Sequence, residues 1–205
     1  VRQTEQPVAK RTQPPLTVGV IADTHVPDRF NTLHPCLESA LRQRRADLIL
    51  HAGDISTPAV LERLNQIAPV NAVRGNRDWA FGSLLPWQRR ITLGNTTILM
   101  LHGHGGLGTY FLDKFWYMLQ GYRTERYFKV IDRCLGDEQV VVFGHTHRPL
   151  IQQRNGRLYF NPGSAALKSK YTEAPSLGFL TILPDGGVEA EIVNLPPVMP
   201  NCRTI

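Results

Sequence analysis

Short apolar, β-branched runs alternate with segments of helical spacing through the first half of the chain. Residues 16–23 (LTVGVIAD) end in polar side chains and read as a buried strand. Residues 34–45 carry Leu37, Ala40 and Leu41 at helical spacing, and a second strand-like run, DLILHAGD, covers 47–54. Thr57 followed by Pro58 offers an N-cap with proline at the first helical position. The helix it opens has Val60, Leu61, Leu64 and Ile67 on one face, and a third run, VNAVRGN, follows at 70–76. This β-α-β-α-β order predicts a parallel sheet with crossover helices.

Strands dominate the second half. Runs at 96–105 (TTILMLHGHG) and 139–147 (QVVVFGHTH) precede a hairpin, LIQQR and RLYFN, around Asn155-Gly156. Two more strands, 177–183 and 188–193, flank Pro184-Asp185-Gly186-Gly187. Residues 1–15 are polar and proline-spaced and read as a disordered leader, and residues 196–205 as a proline-rich tail. Between them, 16–195 reads as a single domain. Residues 108–135 stand apart as an aromatic helical insert: eight of the chain's 17 aromatic residues fall within 110–128. Phe111, Phe115, Leu119 and Tyr122 form a helical stripe there, with Gly121 a candidate break. Packing on the core, a lid over a site and a face for homo-oligomerisation all suit such a stripe.

Composition narrows the class. In 205 residues, 42% are hydrophobic and 20% charged, the balance of a folded globular protein. No apolar run approaches the ~20 residues that span a bilayer, and the N-terminus has no apolar signal core. Three cysteines, Cys36, Cys134 and Cys202, are far apart, which suggests neither a disulfide framework nor a thiolate metal site and favours the cytoplasm. The net charge of +6 favours anionic substrates. It forms no stripe of the kind that tracks a nucleic acid, so nucleic acid stays open as a partner without being indicated.

The five best strands all end in polar clusters. These are Asp23-Thr24-His25, Gly53-Asp54, Gly75-Asn76-Arg77-Asp78, His102-Gly103-His104 and Gly144-His145-Thr146-His147. Sites in α/β sheets form beyond the carboxyl ends of strands, where successive loops converge. In extended backbone, residues two apart share a side, so Asp23 and His25 can reach one ion; His145 and His147 can do the same or divide between two neighbouring ions. Glycines beside these residues let the backbone approach closely. Carboxylates, an amide and imidazoles without thiolate suit Mn, Fe, Zn, Co or Ni rather than Cu(I) or Ca.

Together these motifs resemble the calcineurin-like metallophosphoesterase superfamily. The short length and Asn161-Pro162-Gly163-Ser164 resemble its small bacterial and archaeal YfcE-like phosphodiesterases. The resemblance runs from about residue 16 to 193. It implies an α/β four-layer α-β-β-α sandwich, two mixed sheets flanked by helices, with a site for two divalent metal ions, manganese foremost. By motif position, Asp23, His25, Asp54 and His147 would hold one ion. Asp54, Asn76, His102 and His145 would hold the other, with Asp54 shared. The implied activity is phosphodiester hydrolysis by in-line attack of metal-bound hydroxide, at a site whose formal charge of about +1 attracts a phosphoryl group. The same fold also serves a retromer subunit with an eroded metal site, so a non-catalytic binding scaffold is the alternative. A scaffold has no need of all these candidate ligands together, and all are present.

Some residues carry two readings. His102 matches the family's ligand position, whereas His104 is a candidate for substrate contact or for a supporting bond. Asp78 either orients a ligand or caps a turn. His51 reads as a core or supporting histidine, and His34, beside Pro35, as a surface residue. Arg77 departs from the family, many of whose members carry there a histidine proposed to protonate the leaving group. An arginine cannot do this, but it can stabilise phosphoryl charge. With Arg77 and His104 as the catalytic candidates beside Asp54 and Asn76, the sequence favours esters whose leaving group needs little protonation, unless His104 or a metal-bound water supplies the proton.

Overall fold

In a computed structural model, the structure describes residues 9–10, 13–78, 84–105, 116, 118–119, 121–167 and 174–197. The first three runs form β1 (Leu16–Ile21), β2 (Leu48–His51) and β3 (Val70–Ala72). They are joined through α1 (Leu37–Gln43) and α2 (Pro58–Asn65), the latter with Thr57 at its N-cap position, its side chain making no capping bond, and proline in its first turn. β1 and β2 pair in parallel, as do β2 and β3. The C-terminal strands β9 (Ser176–Ile182) and β10 (Val188–Asn194) complete a mixed sheet of order β10-β9-β1-β2-β3.

The second sheet has the order β4-β5-β6-β8-β7. Its members are β4 (Gln88–Leu93), β5 (Thr96–Leu101), β6 (Val140–Val142), β7 (Leu150–Arg154) and β8 (Arg157–Asn161). β4 is the strand the sequence pattern does not announce. Its residues alternate exposed and buried, but Arg89 occupies an inward position, so the segment reads as polar. The buried Arg89 donates from Nη1 to Asn71 Oδ1 at 2.9 Å, tying β4 to β3 of the other sheet. A turn at Gly94-Asn95 then returns the chain into β5, antiparallel, with Leu93 opposite Thr96.

Strand alternation sorts the apolar side chains into three cores. Val18, Val20, Leu48, Leu50, Ile98, Met100, Val142, Phe160 and Leu180 fill the space between the sheets. Ile21, Ile49 and Phe179 face outward against Leu37, Leu41, Val60 and Leu64 of the two helices. On the far side, Leu99, Val141 and Tyr159 meet Phe128 and Ile131 of α3 (Thr124–Ile131). The layers are therefore α-β-β-α. Of the aromatic insert, Phe111 and Phe115 lie outside the described residues. Gly121, at φ 70°, is not helical, and α3 begins beyond it, its Phe128 ring 5.0 Å from Tyr159.

The chain joins the domain before β1: Lys10 N–H donates to Asp47 O at 2.9 Å and Ala9 packs on the inter-sheet core. This part of the segment expected as leader is thus held. His34 corrects the sequence reading more sharply, being 1% exposed. Its Nδ1 accepts from Cys36 N–H at 3.2 Å, and Nε2 lies 2.9 Å from Pro196 O, so the neutral ring staples the start of α1 to the chain after β10. Burial lowers its pKa, against a smaller opposing effect of Pro196 O. The folded state therefore binds less proton here than the unfolded state, and this stability is complete above the unfolded value of about 6.5 and declines below it. In urea unfolding, the stability advantage of the native protein over His34→Gln is expected to shrink between pH 7.5 and 5.5. An advantage that stays constant across that range would contradict it.

Candidate metal centre

Each polar cluster begins where its strand ends. β1 stops at Ile21, β2 at His51, β3 at Ala72, β5 at Leu101 and β6 at Val142. The site thus takes Asp23, His25, Asp54 and Asn76 from one sheet and His102, His145 and His147 from the other. The loops are laced by backbone bonds, Asp23 N–H to Gly53 O (3.0 Å) and His25 N–H to Asp54 O (3.1 Å). Gly144 lets the sheets close at this end, since a Cβ there would stand 2.9 Å from Ala22 Cβ and from Ala52 O. Gly75 is tighter still: a Cβ there would fall 2.2 Å from Asp54 N and Oδ1.

The backbone here is not extended, as the two-residue spacing suggests. Asp23, His25, Asp54, His145 and His147 have φ of 55°, 53°, 55°, 69° and 58°. A non-glycine residue in this region costs about 1–3 kcal/mol and persists only where its surroundings enforce it; such strain clusters at functional sites. The left-handed turns stand each side chain at the strand ends instead of along a sheet face.

The candidate ligands meet. Asp23 Oδ1 lies 3.3 Å from His147 Nε2 and 3.9 Å from both His25 Nε2 and His102 Nε2. Asp54 sits between the two halves, Oδ2 3.8 Å from His25 Nε2 and Oδ1 3.4 Å from His102 Nε2. Asn76 Oδ1 lies 3.1 Å from His102 Nε2 and 2.9 Å from His145 Nδ1. Two groups have the spacing of a cation's ligands, Asp23/His25/His147 and Asp23/Asp54/His102. Asp23 is common to both, beside the Asp54 that the resemblance makes the shared ligand.

Burial sets the electrostatics. It pushes Asp54 up to about 6, with Asp23 adding to the rise and His102 opposing it. It also pushes Asp23 up, but His147, His102 and His25 outweigh that and hold it below the ordinary carboxylate range. Burial lowers His25 to about 3 and, with His102, takes His145 well below its usual value. On His102 burial is outweighed by Asp54 and Asp23, and the pKa rises. Its Nδ1–H donates to Ala52 O at 2.7 Å, so Nε2 faces the carboxylates with either a proton or a cation.

The donor set fits divalent cations. Asp23 Oδ1 is buried and has no hydrogen-bond partner among the described residues. His25 Nε2 and His147 Nε2 face each other at 3.2 Å. Orphaned carboxylate oxygen and converging imidazole nitrogens are what a cation satisfies and what a protein interior otherwise avoids.

The surrounding residues resolve several sequence-level alternatives. Asp78 is a clamp: its carboxylate accepts from the N–H groups of Asp54 (3.1 Å), Ile55 (2.8 Å), Ser56 (2.7 Å) and Gly75 (2.7 Å). Asn161 Nδ2 donates to Gly144 O at 2.9 Å, and Ser164 Oγ to Asp23 O at 2.9 Å, so that segment props the ligand loops from below. His51 pairs with Thr24 Oγ1 at 3.2 Å. Arg77 donates its backbone N–H to Asp54 Oδ1 at 2.7 Å, while its guanidinium rests on Asp28 Oδ2 at 3.1 Å, at the rim. His104 stands aside, its ring 5.3 Å from His102 and 6.1 Å from His145. Sequence reasoning misses Asp28, whose Oδ2 is 3.8 Å from His25 Nδ1, although its place three residues after His25 was a signal. It also misses Tyr127, which closes the centre edge-on against His145 at 5.8 Å.

A four-layer α/β protein with two carboxylates, an amide and four imidazoles converging across two sheets is a metal-site protein of the phosphoesterase type. A model of the Calcineurin-like phosphoesterase superfamily domain matches residues 16–183, and the chain belongs to that superfamily. A probable metallophosphoesterase of Methanothermobacter thermautotrophicus is 32% identical, the match covering 93% of this chain and 98% of that one. Phosphodiesterase YfcE of Escherichia coli K12 is 33% identical over 53% of this chain and 51% of its own length. Among solved structures, wild-type Vps29 of Entamoeba histolytica complexed with Zn²⁺ superposes with a TM-score of 0.64 at 27% identity, covering 87% of this chain and 99% of that one. Among the described residues no helix is long and apolar enough to cross a membrane.

Proposed function

We infer that the protein is a phosphodiesterase working with two divalent cations, manganese foremost, with Fe, Zn, Co and Ni as alternatives. The observation that carries this reading is the orphaned, buried Asp23 Oδ1 facing three imidazole nitrogens. Asp23, His25, Asp54 and His147 would hold one cation, and Asp54, Asn76, His102 and His145 the other. Such a pair supplies Lewis-acid stabilisation of the phosphoryl oxygens and a water acidic enough to attack phosphorus.

The chain's own groups do the rest. Asp54, fixed by the Arg77 N–H and placed between the two halves, would balance the charge of both cations. Ala52 O, accepting from Nδ1–H, holds the His102 ring in one orientation. Arg77, half-exposed on the rim, is placed to receive phosphoryl charge by exchanging Asp28 for the substrate. It cannot protonate a leaving group, which favours aryl and other good leaving groups. Cys36 and Cys134 are free thiols, in keeping with a cytoplasmic location. The likeness to Vps29 supports a second reading, a protein-binding scaffold.

One experiment separates the two. Chelated protein is expected to lose hydrolysis of bis(4-nitrophenyl) phosphate and to regain it with Mn²⁺, elemental analysis then giving two metal ions per chain. Absence of hydrolysis with every one of the five metals would leave the scaffold.

A further inference from the structure

Beside the centre lies a cavity of about 350 Å³, within the size range of small-molecule sites. Leu101, Val130 and Cys134 give it apolar walls, Trp87 and His104 line it, and His102 is shared with the metal-type cluster. A group seated there is therefore adjacent to anything held at the centre.

Two features of the cavity are unexplained by packing. Trp87 keeps 51% of its surface exposed, its indole 5.3 Å from the His104 ring, with the Arg74 guanidinium 4.7 Å from the indole centroid. His104 is only 5% exposed, yet its buried Nδ1 has no hydrogen-bond partner among the described residues. An imidazole nitrogen can donate or accept, according to the tautomer. An alkyl group would leave Nδ1 unsatisfied. A planar ring with polar edge atoms would satisfy it while stacking on the indole.

We propose that this cavity receives the nucleobase-type heterocycle of an ester substituent on the phosphodiester, stacked on Trp87 and hydrogen-bonded to His104 Nδ1. The proposal deepens the phosphodiesterase reading and rests on it, by naming the substrates as nucleotide esters. His104 then acts in recognition, the substrate-contact role open to it from the sequence.

The test compares two product-like ligands differing only by the base. Adenosine 5′-monophosphate and ribose 5-phosphate are titrated into the full chain, with Mn²⁺ and with chelator, by calorimetry and tryptophan fluorescence. Adenosine monophosphate is expected to bind roughly tenfold more tightly, the scale of one base–aromatic stack. It should also quench fluorescence, and Trp87→Phe should remove most of that quenching. Trp87→Ala, His104→Gln and Cys134→Phe, the last filling the far wall, should bring the ratio of the two dissociation constants towards one. Equal binding of the two ligands to the native protein, or a preference surviving all three variants, overturns the proposal. Because the readout is binding, a base preference without diester hydrolysis would sink the phosphodiesterase reading and leave the base-binding cavity standing.

Discussion

Asp54→Asn is expected to lower diester turnover at saturating Mn²⁺ by roughly a thousandfold or more while making the cation-free protein more stable at pH 7.5. The two effects have one cause. Asp54 Oδ1 and Oδ2 stand 3.4 Å from His102 Nε2 and 3.8 Å from His25 Nε2, so one carboxylate serves both halves of the centre. An amide keeps its shape but not its charge. Without a cation, burial raises the pKa of Asp54 to about 6, which means that the folded state takes its proton more readily than the unfolded chain does. Its contribution to stability is therefore complete in acid and is lost as pH rises from the ordinary carboxylate range through about 6. Asparagine carries no such penalty at pH 7.5. Urea unfolding with chelator, beside Mn²⁺-dependent kinetics, checks both halves. A variant that loses stability or keeps its turnover would contradict this account of the centre.

Asp78→Ala is expected to reduce stability by about 3–5 kcal/mol, the scale for removing one partner of a buried charged network. Among the described residues it bonds no candidate ligand side chain, yet it accepts four backbone N–H groups, from Asp54, Ile55, Ser56 and Gly75. Truncation removes the acceptor of all four donors, three of them buried, and frees the loops after β2 and β3 from each other. For a domain of this size that corresponds to a fall in Tm of about 10 °C. Since Asp54 and Asn76 ride on those loops, cation affinity is expected to fall as well. Asp78→Asn, keeping one acceptor oxygen, should lie between the two proteins in both calorimetric Tm and Mn²⁺ titration. Unchanged Tm in the alanine variant would show that the clamp is not what holds these loops.

Much of this was legible in the chain. Continuous apolar, β-branched runs mark β1, β2, β5 and β6 as buried strands, whereas which side chains face the other sheet, as Val18, Val20, Ile98 and Met100 do, follows only from the fold. β4 was hidden because a buried arginine, Arg89, broke the pattern, and its bond to Asn71 on the opposite sheet makes that arginine tolerable. His34 was hidden for a similar reason: its carbonyl partner, Pro196, lies 162 residues away.

The sequence by itself determined the chemistry, because residue type fixes what an atom can donate, accept or ligate: carboxylate, amide and imidazole at the ends of five strands, with no thiolate. Tertiary structure alone decided the assembly. Five of those residues take left-handed backbone that local preference opposes, and the contacts enforcing it come from other segments, such as Asp23 Oδ2 accepting from His145 N–H at 3.0 Å across 122 residues. It likewise turned Arg77 outward to Asp28, made Asp78 a clamp and left His104 facing a cavity. Each of these depends on which distant loop arrives beside the residue, and spacing along a chain carries no such distance.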